Sequence, residues 1–388
     1  MKKLYYAGAI GLVLFEIANV YFIMPMPGSQ ELPSLGLAYF LYRWRWVFRG
    51  ILAALAAIGF WKAWQASKKW ALLVAVAMLA AVWMTNFEMA ADTMFYQPGN
   101  LQMKTAAENK VPKDKLVIGV AQNGAARAYP IQFIGYHHQV LDTLGGEALM
   151  VTYCTVCRTG RVYRPVANGQ PETFRLVGMD HFNAMFEDAR TKSWWRQVTG
   201  EAVAGPLTGQ ALPEVLSEQL SLEKWLALYP HSRIMQPDST FSEEYKDMDS
   251  YDIGKGRGPL TGTDTLSWQR KSWVVGIAIG TASKAFDWNR LLEERLIQET
   301  VGQTPIVLAL AADNKSFVAF ERPSAAANFT LQRDTLHLEQ QQFTLRGDAV
   351  GAGTALKKVQ AVQEFWHSWQ TFHPHTEKYY GARNLLRK

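Results

Sequence analysis

The stretch Leu149–Tyr163, LMVTYCTVCRTGRVY, decides how this chain reads. Leu149, Val151 and Tyr153 alternate with Met150 and Thr152 in an apolar, β-branched run, which predicts a strand. Cys154 and Cys157 follow, Gly160 permits a tight turn, and Arg161-Val162-Tyr163 resumes strand-like alternation. These are the only two cysteines in 388 residues. A chain this long with a single C-x-x-C pair points to thiols placed for chemistry rather than packing.

Upstream, three apolar stretches open the chain: Leu4–Met24, Val47–Trp64 and Trp70–Phe87. The first is long enough to span a bilayer. It is also long for a signal peptide, and Pro25-Met26-Pro27-Gly28-Ser29 is no small-x-small cleavage site. Placing Lys2, Lys3, Lys68 and Lys69 in the cytoplasm satisfies the positive-inside rule. The expectation is an inner-membrane protein with a cytoplasmic N-terminus, an extracytoplasmic (periplasmic) C-terminal domain and the lipid bilayer as partner. Arg43, Arg45 and Arg49 fall on the outer side, alternating with Trp44, Trp46 and Phe48 as in an interfacial belt. Glu16 and Asn19 share one helical face. They are candidates for contact with a membrane-protein partner, set against simple pairing with a neighbouring helix or with Arg49. The formal net charge is +6, but no Lys/Arg block is long enough for nucleic acid, so none is expected.

Downstream, the chain repeats itself. Leu116-Val-Ile-Gly119-Val-Ala matches Trp273-Val-Val-Gly276-Ile-Ala, an offset of 157 (276 − 119) that holds for about 45 positions. Trp225-x4-Pro230-His231 recurs as Trp369-x4-Pro374-His375, at an offset of 144 (369 − 225). Residues kept in both copies, including these tryptophans and histidines, are assigned to fold. Cys154 falls on Ala311, Cys157 on Asn314, His137 on Glu294 and His138 on Arg295, so thiols and imidazoles are confined to the first copy. The second copy reads as a structural partner that lost the site or never had it. The predicted class is α+β: N-terminal transmembrane helices, then a β-rich extracytoplasmic domain of two repeats. The divisions are 1–98 (anchor), 113–253 (first repeat) and 259–388 (second repeat), with Gly254–Gly258 as a flexible basic connector. Helices are expected at Leu291–Gln298 and Val359–Thr371.

Several stretches of the first copy carry a family likeness: Ala126-Arg-Ala-Tyr-Pro130, His137…Asp142…Gly145-Gly146, Val151-Thr-Tyr-Cys-Thr-Val-Cys157, Ser193-Trp194-Trp195-Arg-Gln197 and Gly200-Glu-Ala-Val-Ala-Gly205. Over roughly Lys113–Pro237 the chain resembles the domain-of-unknown-function family 3179, with a weaker echo in the second copy. That family usually has Pro after the first cysteine and Gly after the second, where this chain has Thr155 and Arg158. It commonly has a carboxylate where His138 stands. The resemblance implies a domain and no established activity.

Three readings of the cysteines compete, and the expectation is the first, a site that binds or handles a soft metal ion, with the other two as alternatives. In the first, Cys154 and Cys157 form a metal knuckle completed by His137, His138, His181 or Met185, with Met179 as a further candidate. Thiolate with imidazole or thioether is a soft set, favouring copper over zinc. Met89, Met94 and Met103 are read as interfacial packing. In the second, the pair is a thiol–disulfide oxidoreductase, with Arg158 favouring thiolate; against it, no helix signal follows the motif. In the third, a structural disulfide pins a turn in a non-catalytic interaction or assembly module, a loop too short to stabilise much. Whether the protein is an enzyme is left open, and no catalytic residue is assigned. Glu187 and Asp188, beside Arg190 and Lys192, read as a solvated charged turn. Gly200…Gly205…Gly209 lacks the Lys-Ser/Thr of a phosphate loop, so no nucleotide cofactor is expected.

Overall fold

The computed structural model describes residues 1–256 and 258–381, so Arg257 of the connector and the end of the second repeat lie outside the described residues. By internal contact the chain forms two compact units. One comprises Met1–Tyr96, Ala167–Arg196 and Glu201–Ala211; the other comprises Gln97–Val166, Gln197–Gly200 and Leu212–Lys388. The class is α+β, with three N-terminal helices long and apolar enough to cross a membrane: Lys2–Tyr21, Arg45–Ala66 and Lys68–Glu88. The last ends in a π-helical turn, Met84–Glu88.

In the first unit a further helix, Leu35–Arg43, precedes the second long one. Glu16 is fully buried, and Arg49 donates to both its oxygens at 2.6 and 2.8 Å. Asn86 Nδ2 donates to the same carboxylate at 3.1 Å. The unit also holds a four-stranded antiparallel sheet in the order Ala202–Ala204, Trp194–Arg196, Asn183–Asp188, Phe174–Asp180. Glu187 and Asp188 correct the expectation of a solvated turn. Both are buried, because the tryptophans beside them need acceptors: Trp194 Nε1 donates to Glu187 (3.2 Å) and Trp195 Nε1 to Asp188 (3.0 Å).

In the second unit the same element order occurs twice. Leu116–Gln122 and Ala125–Pro130 pair as a hairpin, the helix Ile131–His137 follows, and Gln139–Leu144, Glu147–Cys154 and Thr159–Tyr163 form a three-stranded sheet. Trp273–Ile279, Ala282–Asp287, the helix Trp288–Glu294, then Leu296–Val301, Thr304–Leu310 and Phe317–Glu321 follow the same course. Each first hairpin is extended by a later antiparallel strand, Glu218–Ser221 or Ala361–Phe365, which runs straight into a short helix. Two predicted helices are thereby corrected. Leu291–Gln298 breaks at Arg295, whose φ of +63° leaves the helix, and Leu296 onward pairs as a strand. Val359–Thr371 is helical only from Trp366, because Ala361–Phe365 hydrogen-bonds to Trp273–Ile277.

Those strand-to-helix units carry Trp225 and Trp369, which pack on Gly119 and Gly276. A Cβ at either glycine would lie 2.2 or 2.1 Å from the indole ring. Each indole N–H also has a fixed acceptor, Ser232 Oγ at 2.7 Å and Thr376 Oγ1 at 2.9 Å, so the ring cannot swing aside freely. Gly119→Ala or Gly276→Ala should therefore cost about 3 kcal/mol, the upper range for overpacking. Urea denaturation measures this; a loss under about 1 kcal/mol would mean that the ring repacks easily.

Candidate functional site

Cys154 ends the strand Glu147–Cys154, and Thr155-Val156-Cys157-Arg158 turns the chain into Thr159–Tyr163. Strand, turn and returning strand occur in the expected order, but Gly160 is not the turn residue: it lies within the returning strand, paired with Tyr153, and residues 155–158 make the turn. Arg158 holds the left-handed φ of +57° that closes the turn. Both cysteines are fully buried thiols, lying within hydrogen-bonding reach of one another.

The second half of this unit covers the hairpin tip. Phe365 N–H donates to Cys157 O at 2.8 Å. Lys271 Nζ donates to Val156 O at 2.7 Å, and His367 Nε2 lies 3.2 Å from that carbonyl. Arg158 is fully buried and donates to Gln363 Oε1 (2.9 Å), Tyr251 O (2.9 Å) and Asp252 O (2.7 Å). Its guanidinium stacks 3.7 Å from the Trp273 ring. The docking is reciprocal. The second half's own turn, around Asp313 and Ser316, is bonded by Ser221 of the first half at 2.7 and 2.8 Å. Between the two contacts Gln219 Nε2 donates to Gln363 Oε1 at 2.9 Å.

The second half, read from the sequence as a structural partner, supplies buried side chains around the tip. Ser368, fully buried, lies within hydrogen-bonding reach of the Cys157 thiol, and the fully buried Glu364 is near enough to act on it through its charge. Burial pushes that thiol well above its ordinary pKa, and the Cys154 and Glu364 neighbours add to the rise. Arg158 spends its three donor groups on two carbonyls and an amide. Burial also raises Glu364 to about 7, against the opposing pull of Arg161, whose Nη2 is 3.8 Å away. Ser368 and Thr159 favour the ionised carboxylate, yet neither Glu364 oxygen completes a hydrogen bond of ordinary geometry among the described residues. Burial lowers Lys271 to about 8, with Cys157 and Cys154 pulling the other way, and lowers His367 to about 3, with Lys271 adding to the fall.

The other predicted site residues lie as follows. His137 Nε2 is 2.6 Å from Tyr245 Oη, and His138 Nδ1 is 2.9 Å from Tyr136 O. Burial lowers His138 to about 4. His181 and Met185 belong to the other unit. There His181 Nδ1 pairs with Asp180 Oδ1 at 2.7 Å, a bond that raises its pKa, and Met185 is fully buried within its sheet. Among the described residues no three His, Cys, Asp or Glu side chains form a metal-binding group. Glu364, His367, Ser368 and Lys271 escaped the sequence reading because only residues retained by the first copy were sought. At the offset of 144, Glu364 falls on Leu220, His367 on Glu223 and Ser368 on Lys224. The same comparison run in reverse finds them.

Fold and site define an α+β protein with a buried dithiol at a hairpin tip, clasped by a second copy of the same element order. The family described as Protein of unknown function (DUF3179) matches residues 98–376, and the chain belongs to that family. The match takes in both halves. No curated protein and no solved structure matches the chain.

Proposed function

We propose that Cys154 and Cys157 form a dithiol–disulfide couple in which Glu364 accepts the Cys157 proton. The observation that carries this reading is a fully buried carboxylate whose charge acts on a buried thiol, with neither oxygen committed to a hydrogen bond of ordinary geometry among the described residues. A thiol held in its protonated form is a poor nucleophile and needs a base. The co-reactant is a partner disulfide. Cys154 attacks one partner sulfur, forming a mixed disulfide, and its proton ends on the first partner thiol released. Glu364 takes the Cys157 proton; Cys157 sulfur then displaces the second partner sulfur from Cys154, and Glu364 returns the proton to that thiol. Two protein S–H bonds become one S–S bond, and one partner disulfide becomes two thiols. Both sulfurs are buried, so exchange requires the Thr155-Val156 tip to lift from His367 and Lys271.

A second reading is a soft-metal site. Two thiolates satisfy a two-coordinate copper(I) ion, and Lys271, close enough to feel both sulfurs, would offset the charge of such a complex. Zinc would need two further ligands. The two halves are further proposed to be a duplication, and the apolar helices to anchor the domain on the outer, oxidising face of the cytoplasmic membrane. One experiment separates the readings: thiol counting and elemental analysis of protein purified without oxygen. The redox reading expects no stoichiometric metal and two thiols that close and reopen on treatment with oxidised and reduced dithiol. Copper at one per chain, absent from the Cys154→Ser/Cys157→Ser variant, favours the metal; thiols that never close under oxidant sink the redox couple.

A further inference from the structure

The first unit contains two adjoining cavities, about 370 and 410 Å³, that share Tyr42, Arg45, Trp46 and Arg175 as walls. They differ in chemistry. The smaller is lined by four cations, Arg43, Arg45, Arg175 and Lys192, against one carboxylate, Glu187. Arg175 already uses that carboxylate, at 2.9 Å, and also pairs with Asp92. The other three cations have no carboxylate partner among the described residues. Arg45 rests 3.8 Å from the Tyr42 ring centroid and spends one donor on Tyr42 O, which leaves most of its guanidinium N–H groups unused.

The larger cavity runs on from those shared walls along Val20, Ile23, Val82, Phe87 and Val177, which are apolar. Part of its lining is the π-helical turn Met84–Glu88, a distortion frequently found at functional sites. Trp46 is exposed and sits among the arginines near the start of a membrane-length helix. The same cavity also has polar walls at Asn19, Arg49, Thr85, Asn86 and Asp92, of which Arg49 and Asp92 are paired with Glu16 and Arg175. Cationic donors beside an aromatic rim, opening along an apolar wall, match a molecule with an anionic head and a hydrocarbon tail.

We propose that these joined cavities bind a phosphate-bearing membrane lipid, with the phosphate among Arg43, Arg45 and Lys192 and an acyl chain along the Val20–Phe87 wall. This rests on the reading of the three helices as membrane spans. Guanidinium groups suit a phosphate because they offer parallel N–H donors to its oxygens. A net negative headgroup is favoured over a zwitterionic one, since the unpaired wall charges are all positive.

The test uses the full chain, extracted in detergent, delipidated and examined by native mass spectrometry. The probes are phosphatidylglycerol, phosphatidylcholine and diacylglycerol. Phosphatidylglycerol should be retained about tenfold more than phosphatidylcholine, and diacylglycerol should be lost. Arg43→Gln with Arg45→Gln should cut phosphatidylglycerol retention about tenfold while leaving the melting temperature in detergent unchanged. Equal retention of all three lipids, or retention unaffected in the double variant, overturns the proposal. So does full competition by glycerol 3-phosphate, which would mark a site for soluble phosphate esters. Extraction of the membranes with alkaline carbonate separates this outcome from failure of the membrane reading: a protein released by carbonate was never a spanning one.

Discussion

Replacing Glu364 with Gln is expected to slow closure of the Cys154–Cys157 disulfide by about a hundredfold at neutral pH, the lower range for removal of a positioned base. Glutamine keeps the volume of the side chain and abolishes its proton affinity. In the wild-type protein the rate should rise with pH and level off near 7, following the carboxylate whose burial raises it to about that value. In the variant that inflection should vanish, leaving only the later rise from thiol ionisation. Rapid acid quenching and alkylation after mixing with a model disulfide reads both effects. Identical rates and pH profiles in the two proteins would remove Glu364 from the chemistry.

The same substitution has a consequence for stability, of defined sign. The folded protein holds the Glu364 proton more tightly than the unfolded chain, since the pKa rises from 4.5 to about 7. Folding stability from this group is therefore complete below pH 4.5 and declines as pH climbs towards 7. At about 1.4 kcal/mol per pKa unit the decline approaches about 3 kcal/mol. Glu364→Gln should flatten that slope and be the more stable protein at neutral pH. Stability and rate then move in opposite directions, as expected where a buried charge is kept for use rather than for packing.

Arg158→Ala should cost about 3–5 kcal/mol, because each buried acceptor left unpaired costs about 1–3 kcal/mol. Alanine strands the Tyr251 and Asp252 carbonyls, which Arg158 serves at 2.9 and 2.7 Å, and removes the stacking on Trp273. It also places a Cβ-bearing residue at φ +57° with nothing to hold it there. Arg158→Gly relieves that backbone strain but not the lost contacts, so it should fall between alanine and wild type. Lysine cannot reproduce the three-way fork and should rescue little. Chemical denaturation of the series gives the order, and a wild-type midpoint for alanine would mean that water replaces the guanidinium without cost. The glycine usual after the second cysteine in this family suits a left-handed turn. Here arginine occupies that turn and locks the tip to the second half.

The local readings were legible because local rules determine them. Alternation placed the two strands around the cysteines, although Gly160 belongs to the second strand and Arg158 closes the turn. Length and apolarity marked the three N-terminal helices, and self-comparison singled out Gly119 and Gly276, and Trp225 and Trp369. The helices drawn at Leu291–Gln298 and Val359–Thr371 failed because periodicity in a short apolar run does not separate helix from strand. Pairing partners far along the chain decided the matter. Burial of Glu187 and Asp188 was equally hidden, since the indole N–H groups that they satisfy acquire their need only in the folded sheet.

The sequence by itself determined that two thiols stand together at a hairpin tip, because three residues of spacing and one turn suffice for that. Only the tertiary structure decided what faces them. Glu364, His367 and Lys271 lie more than a hundred residues away in the chain, and they come to the hairpin tip because each half's turn docks on the other half's strand-to-helix unit. Pairing of that kind depends on burial and shape over long sequence separations, which no local pattern encodes.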